Sequence, residues 1–206
     1  MFITLEGPEG SGKTSQLPEM ADFICQRGYD VMVTREPGGT SVGDQIRDVL
    51  MNLDNVAIVP RTEILLFQAA RAQHVEEVIR PALAEGKVVI CDRFGDSTLA
   101  YQGYGHETDL KTLRYLVDYA TGGLKPDLTL LLDIAVGEGF QRKVENASEW
   151  NRLDAYARAF HERVRQGYYE LIKADPERWR IIDAAKDKDQ VQQAMRDAVS
   201  DCLPEH

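Results

Sequence analysis

Apolar residues in this chain fall into short β-branched runs, separated by longer stretches in which they recur every three or four positions. The runs at residues 2–5, 30–34, 87–91, 128–133 and 179–182 read as strands, and helices fill the gaps. Val88-Val89-Ile90-Cys91, Leu130-Leu131-Leu132 and Trp179-Arg180-Ile181-Ile182 are nearly continuous in apolar residues, as in strands covered on both faces of a parallel sheet. The pattern therefore predicts an α/β fold, an open five-stranded parallel sheet with helices on both faces. Gly28 is placed to cap the first helix. Thr108 or Asp109 is placed to open the helix that ends at Gly122-Gly123, and Pro126 stops further helix before the fourth strand. Two more helices are expected to begin near Ser41 and near Arg61. Pro18 falls inside the first helix, where its missing N–H predicts a bend.

At 206 residues the chain fits one domain, residues 1–206, with length enough for a sizeable core. Lys and Arg total 24 against 34 Asp and Glu, a net charge of −10, which argues against a broad surface for nucleic acid. A bound polyanion should be small and held locally. Cys25, Cys91 and Cys202 have no metal-binding spacing, and the apolar stretches around Cys25 and Cys91 read as buried thiols of a reducing compartment. A first strand at residue 2 leaves no room for a leader, and no apolar run approaches the length needed to cross a membrane, so a cytoplasmic protein without membrane contact is expected.

In an open parallel sheet, ligands bind beyond the carboxyl ends of the strands, and the polar clusters fall there. After the first strand, Gly7-Pro8-Glu9-Gly10-Ser11-Gly12-Lys13-Thr14 fits G-x-x-x-x-G-K-[ST] at every fixed position. Glycines let backbone N–H groups turn around a phosphate at a helix N-terminus, Lys13 adds a cation, and the Thr14 hydroxyl can ligate Mg²⁺. This predicts a P-loop NTPase-type chain that handles a nucleoside triphosphate. After the third strand, Asp92-Arg93 joins a carboxylate suited to a metal-bound water with a guanidinium suited to phosphate. A plain salt bridge at a strand end fits the pair equally well. No Asn-Lys-x-Asp segment is present, which argues against a regulatory GTPase. Phe67 and Arg71 stand at i and i+4 and can present a ring beside a fork of donors, although Phe67 also suits an ordinary core position. His74, one turn further, reads as a satisfied supporting or surface histidine.

Together these segments resemble the bacterial thymidylate kinases nearly end to end. The carriers are Glu6 to Thr14, Thr34-Arg35-Glu36-Pro37-Gly38-Gly39-Thr40, Leu66-Phe67-Gln68-Ala69-Ala70-Arg71, Asp92-Arg93-Phe94, Ala100-Tyr101-Gln102-Gly103 and Pro126-Asp127-Leu128-Thr129. The resemblance implies transfer of the γ-phosphoryl group of ATP to dTMP, giving dTDP and ADP, with Mg²⁺, in a homodimer formed through helices flanking the pocket. It implies that Phe67 stacks on thymine, that Arg71 bonds the base, and that Thr98 and Gln102 complete the base edge. Tyr101 would crowd the ribose 2′ position, Glu9 would face the 3′-hydroxyl, Arg47 and Arg93 would hold the acceptor phosphate, and Glu36 would lie near the metal or phosphates. For Arg47, spacing alone allows a solvent-facing side chain equally well.

Some thymidylate kinases carry an arginine at the position of Gly10; the type resembled here supplies basic residues from a mobile lid after strand four. Here the lid spans about residues 137–153 and offers Arg142, Lys143 and Arg152, with Arg142 and Arg152 preferred as catalytic cations beside Lys13 and Arg93. Glu138, Glu145 and Glu149 interleave with them, so a solvated charged face is the competing reading. Asn151-Arg152-Leu153-Asp154 departs from the Asp-Arg-x-Glu more usual at that place.

Overall fold

A computed structural model describes residues 1–145 and 151–203. Its centre is a five-stranded, all-parallel sheet in the order β2-β3-β1-β4-β5, formed by β1 (Phe2–Glu6), β2 (Val31–Arg35), β3 (Val88–Asp92), β4 (Leu128–Asp133) and β5 (Trp179–Asp183). The central strands are buried along nearly their whole length, which is why their sequences are continuous rather than alternating in apolar residues. The edge strand β2 is partly exposed, with Val33 on the surface.

Four strands run one residue further than hydrophobicity predicts, because the ladder ends on polar residues: Arg93 N–H donates to Leu5 O and Glu36 N–H to Asp92 O, each at 2.9 Å. Glu6, Arg35, Asp92 and Asp183 are thus strand residues, held at the rim of the sheet by backbone pairing. The sheet order reverses direction of growth at β1, which puts a crevice beyond the carboxyl ends of β1 and β3.

Helix α1 (Lys13–Cys25) begins directly at the phosphate-loop lysine and runs unbroken through Pro18, which sits on its exposed side. Its regular turns end at Cys25, and Gly28 adopts φ 90° beyond two further turn bonds rather than at the cap itself. Cys25 is exposed, contrary to the expectation of a buried thiol: the 100° turn per residue sends Ile24 into the core and its neighbour outward. Cys91, on β3, is buried as expected.

Helix α2 (Ser41–Met51) starts under a Thr40 cap that accepts from Gly43 N–H at 2.9 Å, and α3 (Pro60–His74) starts at a proline in its first position. Helix α3 continues through a wide turn at Val75–Ile79 into α4 (Arg80–Ala84). After β3, a short α5 (Gly95–Thr98) widens into a turn at Leu99–Gly105, which delivers Tyr101 and Gln102 opposite α3. Asp109 caps α6 (Leu110–Thr121), which closes on the left-handed Gly122. Helix α7 (Val136–Glu145) follows β4. A short turn at Arg152–Ala155 leads into α8 (Arg158–Ala174), and α9 (Lys188–Ser200) packs on α1. Residues 146–150, part of the expected lid and including Glu149, lie outside the described residues.

Candidate active site

A cleft of about 1040 Å³ runs over the carboxyl ends of β1 and β3. The phosphate loop and Lys186, Asp187 and Lys188 line one end, while Phe67, Arg71, Thr98, Tyr101 and Gln102 line the other. Its volume exceeds what one drug-sized ligand needs, and its two ends differ in chemistry.

At the loop end, Lys13 curls back so that Nζ donates to Gly7 O (3.0 Å), Pro8 O (2.9 Å) and Ser11 Oγ (3.1 Å). Burial, with the nearby Arg93 cation, pulls its pKa down to about 8 against the pull of Glu9, Asp92 and Glu6. A phosphate seated in the loop replaces those carbonyl contacts with an anion and favours the charged amine. Nucleotide binding at pH 8–9 should therefore take up a proton, visible by calorimetry in buffers of different ionisation enthalpy. Lys13→Met should abolish that uptake; identical uptake in the variant would locate the titrating group elsewhere.

Thr14 Oγ1 donates to Asp92 Oδ2 at 2.6 Å, and Asp92 Oδ1 is buried without a hydrogen-bond partner among the described residues. An orphan carboxylate oxygen beside a hydroxyl is a fitting place for Mg²⁺ or its water. No cluster of three acidic, His or Cys ligands occurs among the described residues, so such an ion must complete its shell from phosphate and water, as Mg²⁺ commonly does.

Gly10 explains why no arginine stands in this loop. It adopts φ 73°, and a Cβ there would collide with the backbone of Gly139 in α7, while a Cβ on Gly139 would collide with Glu9 O. The loop and α7 touch backbone to backbone, so position 10 cannot carry a side-chain cation, and α7 brings Arg142 and Lys143 to the cleft instead.

Arg93 sits at the middle of the cleft with φ 68°, an uncommon conformation for a side chain of its size. Its Nη2 donates to Glu9 Oε1 (2.6 Å) and Tyr101 OH (3.0 Å), and its Nη1 donates to Gly7 O (3.1 Å). Tyr101 OH in turn donates to Glu9 Oε1 at 3.0 Å. Burial raises the Glu9 pKa, but Arg93 and Lys13, then Lys143, overcome it and hold the group at about 2. The Glu9 carboxylate is thereby turned away from the loop's anion cradle and toward Tyr101. Arg47 lines the cleft half-buried and donates to Pro37 O at 3.0 Å; it does not point into solvent. Arg35, also in the lining, adds a further guanidinium.

At the far end, Arg71 is among the largest fully buried side chains. Its Nε donates to Glu36 Oε2 (2.8 Å), its Nη1 to Gln68 Oε1 (3.0 Å) and Thr98 Oγ1 (2.9 Å), and its Nη2 to Phe94 O (3.0 Å). Four of five donors are thus fixed, leaving one Nη2 hydrogen for a ligand among the described partners. Glu36 also contacts His74 Nδ1 at 3.0 Å, and His74 Nε2 lies 2.7 Å from Thr34 Oγ1. Glu36 is therefore locked between Arg71 and the buried His74, while its N–H pairs with Asp92 O at the strand ends. Phe67 combines both readings: it packs with Leu50 and Leu153, and one face lines the cleft.

The basic residues of the expected lid part company. Arg142 lines the cleft and donates to Ala184 O (2.6 Å), Ala185 O (3.0 Å) and Glu138 Oε1 (2.8 Å), tying α7 to the loop after β5. Lys143 lines it too, with Nζ 2.5 Å from Asp154 Oδ2 and 4.0 Å from Glu9 Oε2. Arg152 is not part of the lining. It donates to Leu50 O (2.9 Å), Tyr156 OH (2.9 Å) and Glu63 Oε2 (2.5 Å), so the expectation of a catalytic cation at Arg152 is not met in this conformation. A buried carboxylate holds its guanidinium more tightly than open water would. The solvated-face reading fails for Lys143 and Arg152 alike, both being buried.

Glu6, a motif residue without an assigned role, and Glu63, which lies outside the motifs, are both buried glutamates. Glu6 accepts from Phe94 N–H (2.9 Å), Ser97 Oγ (2.6 Å) and Tyr168 OH (2.8 Å), and burial, then the neighbouring Asp96, raises its pKa to about 7. Glu63 stands one turn before Phe67 and two before Arg71, so the i, i+4, i+8 stripe of α3 carried a signal for it.

The thymidylate kinase family model matches residues 5–195. A thymidylate kinase of a Roseiflexus species is 51% identical over 195 residues, spanning 89% of this chain and 86% of the relative. The thymidylate kinase of Herpetosiphon aurantiacus is 45% identical across 97% of this chain and 94% of its own. The crystal structure of thymidylate kinase from Ehrlichia chaffeensis superposes with a TM-score of 0.75 at 34% identity, covering 95% of this chain and 97% of that one. With the phosphate loop, the two-ended cleft and these matches in agreement, the chain belongs to the thymidylate kinase family.

Proposed function

We propose that this chain is a dTMP kinase that transfers the γ-phosphoryl group of ATP to dTMP, yielding dTDP and ADP for dTTP synthesis. The observation that carries the reading is the single continuous cleft with a phosphate loop at one end and a ring-plus-guanidinium pocket at the other, bridged by Arg93. Residues 7–14 hold the ATP phosphates. Phe67 stacks on thymine, Arg71, Thr98 and Gln102 bond its edge, and Arg47 and Arg93 fix the acceptor phosphate. Glu9 and Tyr101 face the sugar, with Glu36 steadying Arg71 from behind.

Phosphoryl transfer needs in-line positioning and neutralisation of charge on the equatorial oxygens more than covalent help. A phosphate acceptor is already ionised at neutral pH, so no side chain need act as general base. Thr14 and Asp92, the latter through water, would hold Mg²⁺, which supplies charge neutralisation on the donor phosphates. Lys13 and Arg93 contribute cations from the two sides of the loop, and Arg142 and Lys143 contribute them from α7. The segment 137–153 acts as the lid of a single kinase domain, excluding water from the loaded cleft.

No described helix is long and apolar enough to cross a membrane. A cytoplasmic homodimer fits the exposed Leu65 of α3 and Tyr115 and Tyr119 of α6, helices that pack together beside the cleft. No nucleic-acid partner is invoked for so acidic a chain.

Titration with dTMP and a non-hydrolysable ATP analogue tests the two-ended cleft: each should bind with the other present, at one site per chain. Mutual exclusion would contradict it. Tyr101→Phe removes the hydroxyl shared by Arg93 and Glu9, and Tyr101→Ala opens space beside the sugar; the alanine variant should narrow the preference for dTMP over its ribonucleotide counterpart. An unchanged ratio of kcat/KM would remove Tyr101 from sugar selection.

A further inference from the structure

Glu63 is fully buried in the first turn of α3, yet four side chains converge on it. Oε1 accepts from Gln102 Nε2 at 2.7 Å and from His106 Nε2 at 3.3 Å; Oε2 accepts from Arg152 Nη2 at 2.5 Å and from Tyr156 OH at 3.0 Å. Burial raises its pKa, but the bonds from His106, Gln102 and Arg152 prevail and hold it at about 2, so it stays a carboxylate at any working pH. A carboxylate can only accept hydrogen bonds. Of the two ends of the Gln102 amide, only the nitrogen can face Glu63. The carbonyl Oε1 is therefore the end left for the cleft, which Gln102 lines beside Phe67, Arg71 and Thr98.

We propose that Glu63 is a positioning residue that sets the polarity of the base pocket: by holding the Gln102 amide nitrogen it presents a carbonyl acceptor to the pyrimidine edge, and so selects a base with an N3–H. This rests on the dTMP kinase reading above. A 4-oxo pyrimidine offers that proton, whereas cytosine turns an N3 lone pair toward the same oxygen. The remaining Nη2 hydrogen of Arg71 acts in the same sense, favouring a 4-oxo group over a 4-amino group. Without a fixed acceptor behind it, the Gln102 amide could rotate by half a turn and donate instead, and the pocket would lose its preference. Glu63 itself need not touch the nucleotide. Its second oxygen fastens Arg152, so the segment that ends the lid and the base-reading amide share one anchor.

The test is kcat/KM for dTMP and for dCMP, with saturating ATP, in the wild-type protein and Glu63→Gln. A neutral amide at 63 can donate or accept, so the dTMP-to-dCMP ratio should fall about tenfold or more, while the KM for ATP holds. A purely structural role would lower both substrates in proportion, and an unchanged ratio overturns the proposal. Glu63→Asp keeps an acceptor and should restore most of the ratio. Gln102→Met, which leaves the Glu63–Arg152 pair intact, provides a second arm should the Glu63 variants not fold. It should lose the same discrimination, and wild-type discrimination in it overturns the proposal. Wild-type protein that fails to phosphorylate dTMP at all would sink the underlying kinase reading, an outcome distinct from normal dTMP turnover with an unchanged ratio.

Discussion

Lys13→Met should retain its fold and lose turnover by about 10³-fold or more. In this structure the ammonium spends its three protons on two loop carbonyls and Ser11, contacts internal to the loop rather than to the sheet or the core. Methionine preserves the stem's packing and forfeits only the cation, so circular dichroism and the unfolding midpoint should change little. The charge matters when negative charge gathers on the transferred group, because backbone N–H dipoles alone do not neutralise it. A folded variant with near-normal turnover would remove the phosphate loop from the chemistry.

The second large effect separates two arginines that sequence treats alike. Arg142→Ala should lower turnover by about 10³-fold with a smaller change in the KM for dTMP, since it removes a guanidinium that lines the cleft. Arg152→Ala should instead show its main loss in stability, about 3 kcal/mol, because it leaves the buried Glu63 without its cation. Tyr156, Gln102 and His106 remain on that carboxylate, so the cost lies at the lower end of the range for a broken buried pair. Urea unfolding and steady-state kinetics on both single variants check the division. The reverse pattern, with Arg152→Ala stable but inactive, would mean that Arg152 leaves Glu63 and reaches the phosphates when both substrates are bound.

Much of this architecture is legible in the sequence for physical reasons. Continuous apolar runs announce doubly covered parallel strands, and the glycine spacing of residues 7–12 encodes a backbone that must turn inward around an anion. The stripe of Phe67 and Arg71 gives one wall of the cleft's far end. Pairings across long sequence separations are not legible in this way. Nothing near Arg152 reveals that its partner is Glu63, 89 positions earlier, and nothing near Glu36 reveals that Arg71 and His74 close upon it. Gly10 shows the same limit from the other side. Its missing side chain reads in sequence as an absent arginine, whereas in space it is the clearance that lets α7 approach the loop. Cys25 is exposed despite its apolar neighbours, because an apolar neighbourhood along the chain does not specify which way a helix turns each residue.

The central claim is that one cleft brings a nucleoside triphosphate and dTMP together for direct transfer. The most direct measurement is product analysis with ATP, Mg²⁺ and dTMP: ADP and dTDP should appear in equal amounts, with little ADP formed when dTMP is left out. ADP produced at the same rate without dTMP, or with no dTDP beside it, would contradict the account.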